Sequence, residues 1–208
     1  MKIVKPSVEL IWITENPEYQ IEVAGRTCYK SEDKITETSS ADFSRKMTKL
    51  GHHAMIEHAV ASFRIICDRG ITHEIVRHRL ASFAQESTRY CRYSDDKFDG
   101  QCSFIEPPSL NEDQRITWID ACECAEDKYF EMLYFGCSPQ IARSVLPTCL
   151  KAELVMMANF REWRHFISLR GSKSAHPQIR PIAYDIWKEL INHAPNIFGD
   201  LNPVKDGM

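Results

Sequence analysis

The chain has 208 residues, 43% of them hydrophobic, with 26 Lys and Arg against 29 Asp and Glu for a net charge of -3. Length and composition suit one good-sized domain with a full core, spanning residues 1–208. The slight acidic excess excludes a general nucleic-acid binder, whose footprint is a surplus of Lys and Arg, and there is no run of about 18 apolar residues to span a membrane.

Met1 to Thr14 is interrupted by Pro6 and Glu9 and lacks the unbroken apolar core of a signal peptide, so a cytoplasmic location is expected. The eight cysteines include no C-x-x-C pair. Zinc sites use tighter, repeated spacing, so the cysteines read as reduced thiols packed as small apolar groups.

Val4 to Ile13 carries Val, Ile and Trp in partial alternation and reads as a strand. Asn16-Pro17 opens a helix to about Tyr29, with Asn16 as its cap. Ser39 or Ser40 caps a second helix, stopped by Gly51. His58 to Cys67 alternates again and reads as a strand, and Gly70 introduces a short helix to His78. Thr88 to Tyr93 and Ser103 to Ile105 read as strands around a polar loop. Asn111 or Glu112 begins a long helix to about Phe135, with Trp118, Cys122, Ala125, Tyr129 and Met132 on a 3.6-residue period. Ser138-Pro139 caps a short helix to Val145, and Leu150 to Met157 reads as a buried strand. Phe160 to Leu169 and Pro177 to His193 are the last helices. Strands and helices mix without regular βαβ alternation, which predicts an α+β fold with a mixed, mostly antiparallel sheet. There is no G-x-G-x-x-G or Walker loop, so a dinucleotide would not sit on a Rossmann turn.

Chemistry concentrates in four segments. Arg77 to Tyr90 holds Arg77, His78, Arg79 and Arg89 among hydroxyls, Gln85 and Glu86. Guanidinium forks suit an oxyanion, although a solvated basic turn balanced by Glu86 reads the same residues differently. On a helix Arg77 and Arg79 diverge by about 200°. On a strand Ser87 and Arg89 share a face and make a phosphate cradle. Gly51 to His58 offers His52, His53 and His58 without a standard zinc spacing, so no metal site is assigned. Imidazole stacking on a planar ligand and plain structural histidines both remain open. Arg143 to Cys149 holds an arginine near a helix end and a thiol without a neighbouring base. Asn159 to Arg170 places Arg161 and His165 at i, i+4 on one helical face, with Asn159 at the cap and Arg170 at the end.

Arg77-His78-Arg79, seven residues, then Ser87, extended by Arg89-Tyr90, resembles the signature of the flavin-dependent thymidylate synthases. The resemblance continues in order through Gly51 to His58, Arg143 to Pro147 and Asn159 to Arg170, over about two-thirds of the chain. It implies an α+β fold that is not Rossmann and a reductive methylation of dUMP to dTMP. Methylenetetrahydrofolate gives the carbon, and FAD, reduced by NADPH, gives the hydride. It also implies a homotetramer with sites shared between subunits and no enzyme nucleophile. By this resemblance Ala54, Arg77, His78, Arg79, Gln85, Asn159, Phe160, Arg161 and His165 contact the cofactor. Glu74, Arg77, Gln85, Glu86, Ser87, Thr88, Arg89, Arg143 and Arg170 contact the nucleotide. Arg170 polarises the uracil, and His52 is the second catalytic position. Glu74 stands where an amide is expected, and His165 where asparagine is expected. A rival reading is a regulatory module that binds a nucleotide without turnover; it leaves the His52 loop and Asn159-Arg161 without a role.

Overall fold

The computed structural model describes residues 1–204. Lys2–Val4 (β1) and Ser7–Ile13 (β2) are two strands where the sequence reading expects one. Pro6 lies in the break, and a residue without an N–H cannot carry the ladder through. Pro17–Thr27 (α1) starts on its proline, but Asn16 takes a left-handed conformation and makes no capping bond with its side chain. Ser39–Leu50 (α2) contains Ser39 rather than being capped by it. The Ser39 hydroxyl instead donates to the buried Glu22 carboxylate. Gly51, at φ 73°, ends this helix as expected.

His53–Ile56 (α3) leads into Val60–Asp68 (β3), and Arg69–Ile75 (α4) follows, capped by Asp68. Ala81–Gln85 (β4) is a strand the sequence reading missed. The strand expected at Thr88 to Tyr93 is absent: Ser87 O accepts from both Tyr90 N and Cys91 N, which closes a turn. Ser103–Ile105 (β5) precedes Glu112–Tyr134 (α5), where Asn111 and Gln114 make a reciprocal capping box. Pro139–Ala142 (α6) runs into a 3-10 turn at Arg143–Val145. Lys151–Asn159 (β6), Phe160–Arg170 (α7), Ile179–His193 (α8) and Pro195–Phe198 (α9) complete the order.

The main sheet runs β2-β3-β6-β4, with every neighbouring pair antiparallel. The parallel β1–β5 pair makes the architecture mixed, as expected for α+β. On one face, Phe63 and Ile65 of β3 and Leu154 and Met156 of β6 pack on Trp163, Phe166, Ile182 and Ile186 of α7 and α8. Burying such an aliphatic or phenyl side chain stabilises by about 1.5–3 kcal/mol. Trp163 is fixed further by its indole N–H, which donates to Ala61 O at 3.1 Å. The opposite face leaves Trp12 and Met157 exposed around the cross-strand Arg64–Glu9 ion pair. A second core joins Tyr93, Phe104, Cys122, Tyr129 and Leu150 under α5. No helix among the described residues is long and apolar enough to cross a membrane.

Candidate functional site

The sequence between α4 and β4 holds the centre of the site. After Ile75 the helix stops, and the chain passes Arg77, His78 and Arg79 in an irregular segment. Here side chains alternate: Arg77 and Arg79 are exposed while His78 is buried at 4% exposure. The two arginines therefore stay together because the backbone is not helical, contrary to the divergence a helix would impose.

Asn159 ends β6 and caps α7, with its Oδ1 accepting from Glu162 N at 2.9 Å. That cap starts the helix so that Glu162 turns inward and Arg161 and His165 face outward. A cavity of about 780 Å³ lies between these segments. It is lined by Arg77, His78, Arg79, Asn159, Arg161 and His165, with His53, Glu57, Glu162 and Arg164. Arg161 reaches Glu57 at 2.7 Å, and Arg164 forks onto the Asp200 carboxylate at 2.6 and 2.7 Å. That guanidinium holds the Asp200 carboxyl below the usual carboxylate range.

Behind the cavity lies a continuous polar chain. Glu162 Oε1 is 2.8 Å from His78 Nδ1, and Arg170 Nε is 3.2 Å from His78 Nε2. Arg170 also donates from Nη1 to Glu74 Oε2 at 2.6 Å and from Nη2 to Glu74 O at 2.9 Å. Burial pushes His78 below the ordinary imidazole range, against the pull of Glu162 and with the help of Arg170 and His165. His78 also packs on Phe166 and lies 5.4 Å, centroid to centroid, from the His165 ring.

A second basic cluster forms around a cavity of about 430 Å³ lined by Arg69, Thr88, Gln140, Arg143, Ser144, Leu146 and Leu150. Arg143 Nη1 donates to Thr88 Oγ1 at 2.9 Å, and Arg89 Nε donates to Gln140 Oε1 at 3.0 Å. Arg69 Nη1 is buried without a partner among the described residues. A buried guanidinium N–H left unpaired is a place for an anion. Leu150, just before β6, and Asn159, at its end, border the two cavities and are nine residues apart. Extended chain of that length spans roughly 30 Å.

The family model for thymidylate synthase complementing protein matches residues 9–196. The flavin-dependent thymidylate synthase of Corynebacterium glutamicum is 34% identical over 211 residues, covering 94% of this chain and 84% of that one. That of Mycobacterium marinum is also 34% identical, covering 91% and 82%. The chain belongs to the flavin-dependent thymidylate synthase family.

A solved structure, the UMP/dUMP methylase PolB from Streptomyces cacaoi bound with 5-Br dUMP, shares this fold, with a TM-score of 0.81 over 96% of each chain at 23% identity. Within this flavin-dependent thymidylate synthase chain, several expected positions differ from the sequence reading. His52 and Ala54 are exposed and do not line the cavity, which takes His53 and Glu57 from that loop. His52 sits at the N-cap position of α3 without a side-chain capping bond, and His53, the first residue of that helix, lines the cavity instead. Phe160 is fully buried against Phe198 and belongs to the core. Gln85 donates to Thr72 Oγ1 at 3.0 Å, and Glu86 takes Lys151 at 2.8 Å, so both are held by the protein itself. Ser87 and Arg89 do not share a strand face; Ser87 Oγ accepts from Arg89 N inside the turn. Arg89 and Arg143 gather at the second cluster, apart from the cavity that holds Arg79.

Glu162, Arg69 and Arg164 have no role in the sequence reading, and His53 enters it only as one histidine of the Gly51 to His58 loop. Asn159 followed three residues later by Glu162 matches the pattern of a helix N-terminus, but the Glu162 carboxylate goes to His78 rather than back to the cap. Metal ligands are not built from the His52 to His58 loop. The one candidate group among the described residues is His78, Glu162 and His165, whose ligand atoms lie within 4.8 Å of one another.

Proposed function

We propose that this chain is a single synthase domain over residues 1–208 that converts dUMP to dTMP, using methylenetetrahydrofolate as carbon donor and NADPH-reduced FAD as hydride source. One observation carries the reading: segments more than 70 residues apart bring Arg77, His78 and Arg79 together with Asn159, Arg161 and His165 around one cavity. The cavity fits a phosphate-bearing cofactor. Its volume lies within the range of about 300–1,000 Å³ common for ligand sites, and its walls carry the guanidinium donors of Arg77, Arg79, Arg161 and Arg164. The N-terminus of the eleven-residue helix α7 adds a favourable dipole end for an anion.

When bound, the flavin supplies a hydride; the protein supplies orientation and charge. Arg77, Arg79 and Arg161 would hold the cofactor's anionic groups, and His53 and His165, on the same cavity, would offer imidazoles to it. Arg170 faces the pyrimidine and stabilises negative charge as it builds on the ring and its O4, an oxyanion-type contribution. Charge on O4 makes C5 the nucleophile, so no enzyme thiol has to attack C6. Cys149 agrees with that. Burial pushes its thiol up, and it lies 3.5 Å from the Cys122 thiol. Thr88, Arg89 and Arg143, joined by Arg69, hold the 5′-phosphate of the nucleotide. Glu86 and Gln85 brace that segment through Lys151 and Thr72.

The nucleotide half-site and the cofactor half-site lie at opposite ends of β6 in one chain, which supports a homotetramer whose sites are shared between subunits. The exposed outer sheet face with Trp12 and Met157 is available to a second copy. Purified protein reconstituted with FAD is expected to be yellow, to bleach on NADPH addition, and to reoxidise on addition of methylenetetrahydrofolate with dUMP. A protein that binds dUMP but takes up no flavin contradicts the reading and favours a regulatory nucleotide-binding module.

A further inference from the structure

Arg170 presents the protons of its guanidinium in a fixed plane, and where that plane points decides what it can polarise. Five N–H donors are available on the group. Three are used within the protein: Nε on His78 Nε2, Nη1 on Glu74 Oε2 and Nη2 on Glu74 O. The two others remain for a substrate oxygen. Glu74 alone, on one α4 turn, grips only the Nη edge. The Nε edge depends on His78, and Arg170 can only donate there.

That fact settles the His78 proton. A guanidinium never accepts, so His78 Nε2 must be the unprotonated nitrogen. The single ring proton then sits on Nδ1, where a carboxylate oxygen of Glu162 stands 2.8 Å away. Glu162 and His78 are both buried, at 6% and 4% exposure, and Glu162 is anchored by its own N–H to the Asn159 cap. The opposite tautomer would bring two N–H groups face to face at Nε and leave the carboxylate facing a lone pair. A cation held by His78, Glu162 and His165 is the competing use of this group. Both His78 nitrogens are already committed, and Arg77, Arg79, Arg161 and Arg164 around the cavity repel a cation.

We propose that Glu162 is a positioning residue for the methylation: by accepting the Nδ1 proton of His78 it commits His78 Nε2 to Arg170 and so fixes the guanidinium that faces the pyrimidine. The idea rests on the role of Arg170 given above. A carboxylate that orients an imidazole, which in turn orients the working group, is common where histidine is the working group. Here the histidine is the middle link and arginine the end of the chain. Although Glu162 borders the cavity, it is 6% exposed and its carboxylate is turned to His78, so in this role it acts through His78.

The test uses the flavin-loaded full-length protein labelled with ¹⁵N-histidine, with His78 assigned by its loss in His78→Gln. The wild type is expected to show a protonated Nδ1 and an unprotonated Nε2 on His78 near neutral pH. Glu162→Ala is expected to give mixed tautomers and a kcat at least tenfold lower, with KM for dUMP and flavin content within about twofold. Glu162→Gln, whose amide oxygen can still accept from Nδ1, is expected to restore the tautomer and most of the kcat. A His78 protonated on Nε2 in the wild type overturns the proposal, even if Glu162→Ala fails to fold. So does a folded Glu162→Ala with unchanged tautomer or unchanged kcat. If the wild type makes no dTMP, the functional reading falls on its own, and the tautomer measurement still decides the Glu162–His78–Arg170 arrangement.

Discussion

Arg170 is held on three sides by the protein before any substrate arrives, by His78 and by both the side chain and backbone of Glu74. A preorganised donor of this kind, when removed, typically costs about 10²–10³ in kcat. Arg170→Ala is therefore expected to lose dTMP formation by that order while retaining flavin, which absorbance of the purified variant reports. Loss of the flavin instead would assign the guanidinium to the cofactor. Cys149→Ala is expected to keep wild-type activity, because the thiol is raised by burial and has no base beside it; a folded, inactive variant would restore the thiol as a nucleophile. His78 gives a pH dependence with a definite sign. Its folded-state pKa lies below the unfolded value of about 6.5, so the unfolded chain binds the extra proton first. Its contribution to stability is full above that value and is lost as pH falls from it toward the lowered native value. Urea midpoints measured between neutral and mildly acid pH should fall less steeply in His78→Gln than in the wild type. Much of this residue chemistry was legible in sequence: Arg77, His78, Arg79, Asn159, Arg161 and His165 do share one cavity. Glu162 and Arg69 were not, because a buried acid or an unpaired base looks like any surface charge until burial is known.

At the scale of elements, α7 does most to assemble the site. Its outward residues Arg161 and His165 serve the cavity, while Trp163, Phe166 and Ile167 anchor it to the sheet. Trp163→Ala removes a fully buried side chain and its bond to Ala61 O, and should destabilise by about 3–5 kcal/mol in urea unfolding. Flavin affinity should fall with it; a small stability change with full flavin retention would show that α7 is held by other means. The helices α5 and α7 were legible because each begins with an asparagine whose side chain caps it. The edge strand β4 was not, since Ala81-Ser82-Phe83-Ala84-Gln85 has small residues at its outward positions and little β-branched character. The expected strand at Thr88 to Tyr93 failed for the converse reason. Threonine and tyrosine favour strands, yet Ser87 takes local backbone bonds that close a turn.

On the scale of the whole molecule, the two basic clusters line separate cavities. Arg143, Thr88 and Arg69 surround one cavity, and Arg79, Arg161 and His165 the other. The overall charge, composition and ordered motifs pointed to the right fold class, but no sequence feature reports how far apart the two cavities lie. Light scattering on the flavin-loaded protein should give a mass of four 24.1 kDa chains. Coexpressing Arg143→Ala with Arg170→Ala should recover activity that neither variant has alone, because mixed assemblies contain sites with both native arginines. No recovery, with mixed assemblies present, would mean that each site draws both residues from the same subunit.

The most direct measurement of the central claim is product formation. Incubating the purified chain with dUMP, FAD, NADPH and methylenetetrahydrofolate should yield dTMP, and omitting FAD from flavin-stripped protein should abolish it. A flavin-loaded, folded protein that binds dUMP and oxidises NADPH yet forms no dTMP would contradict the account.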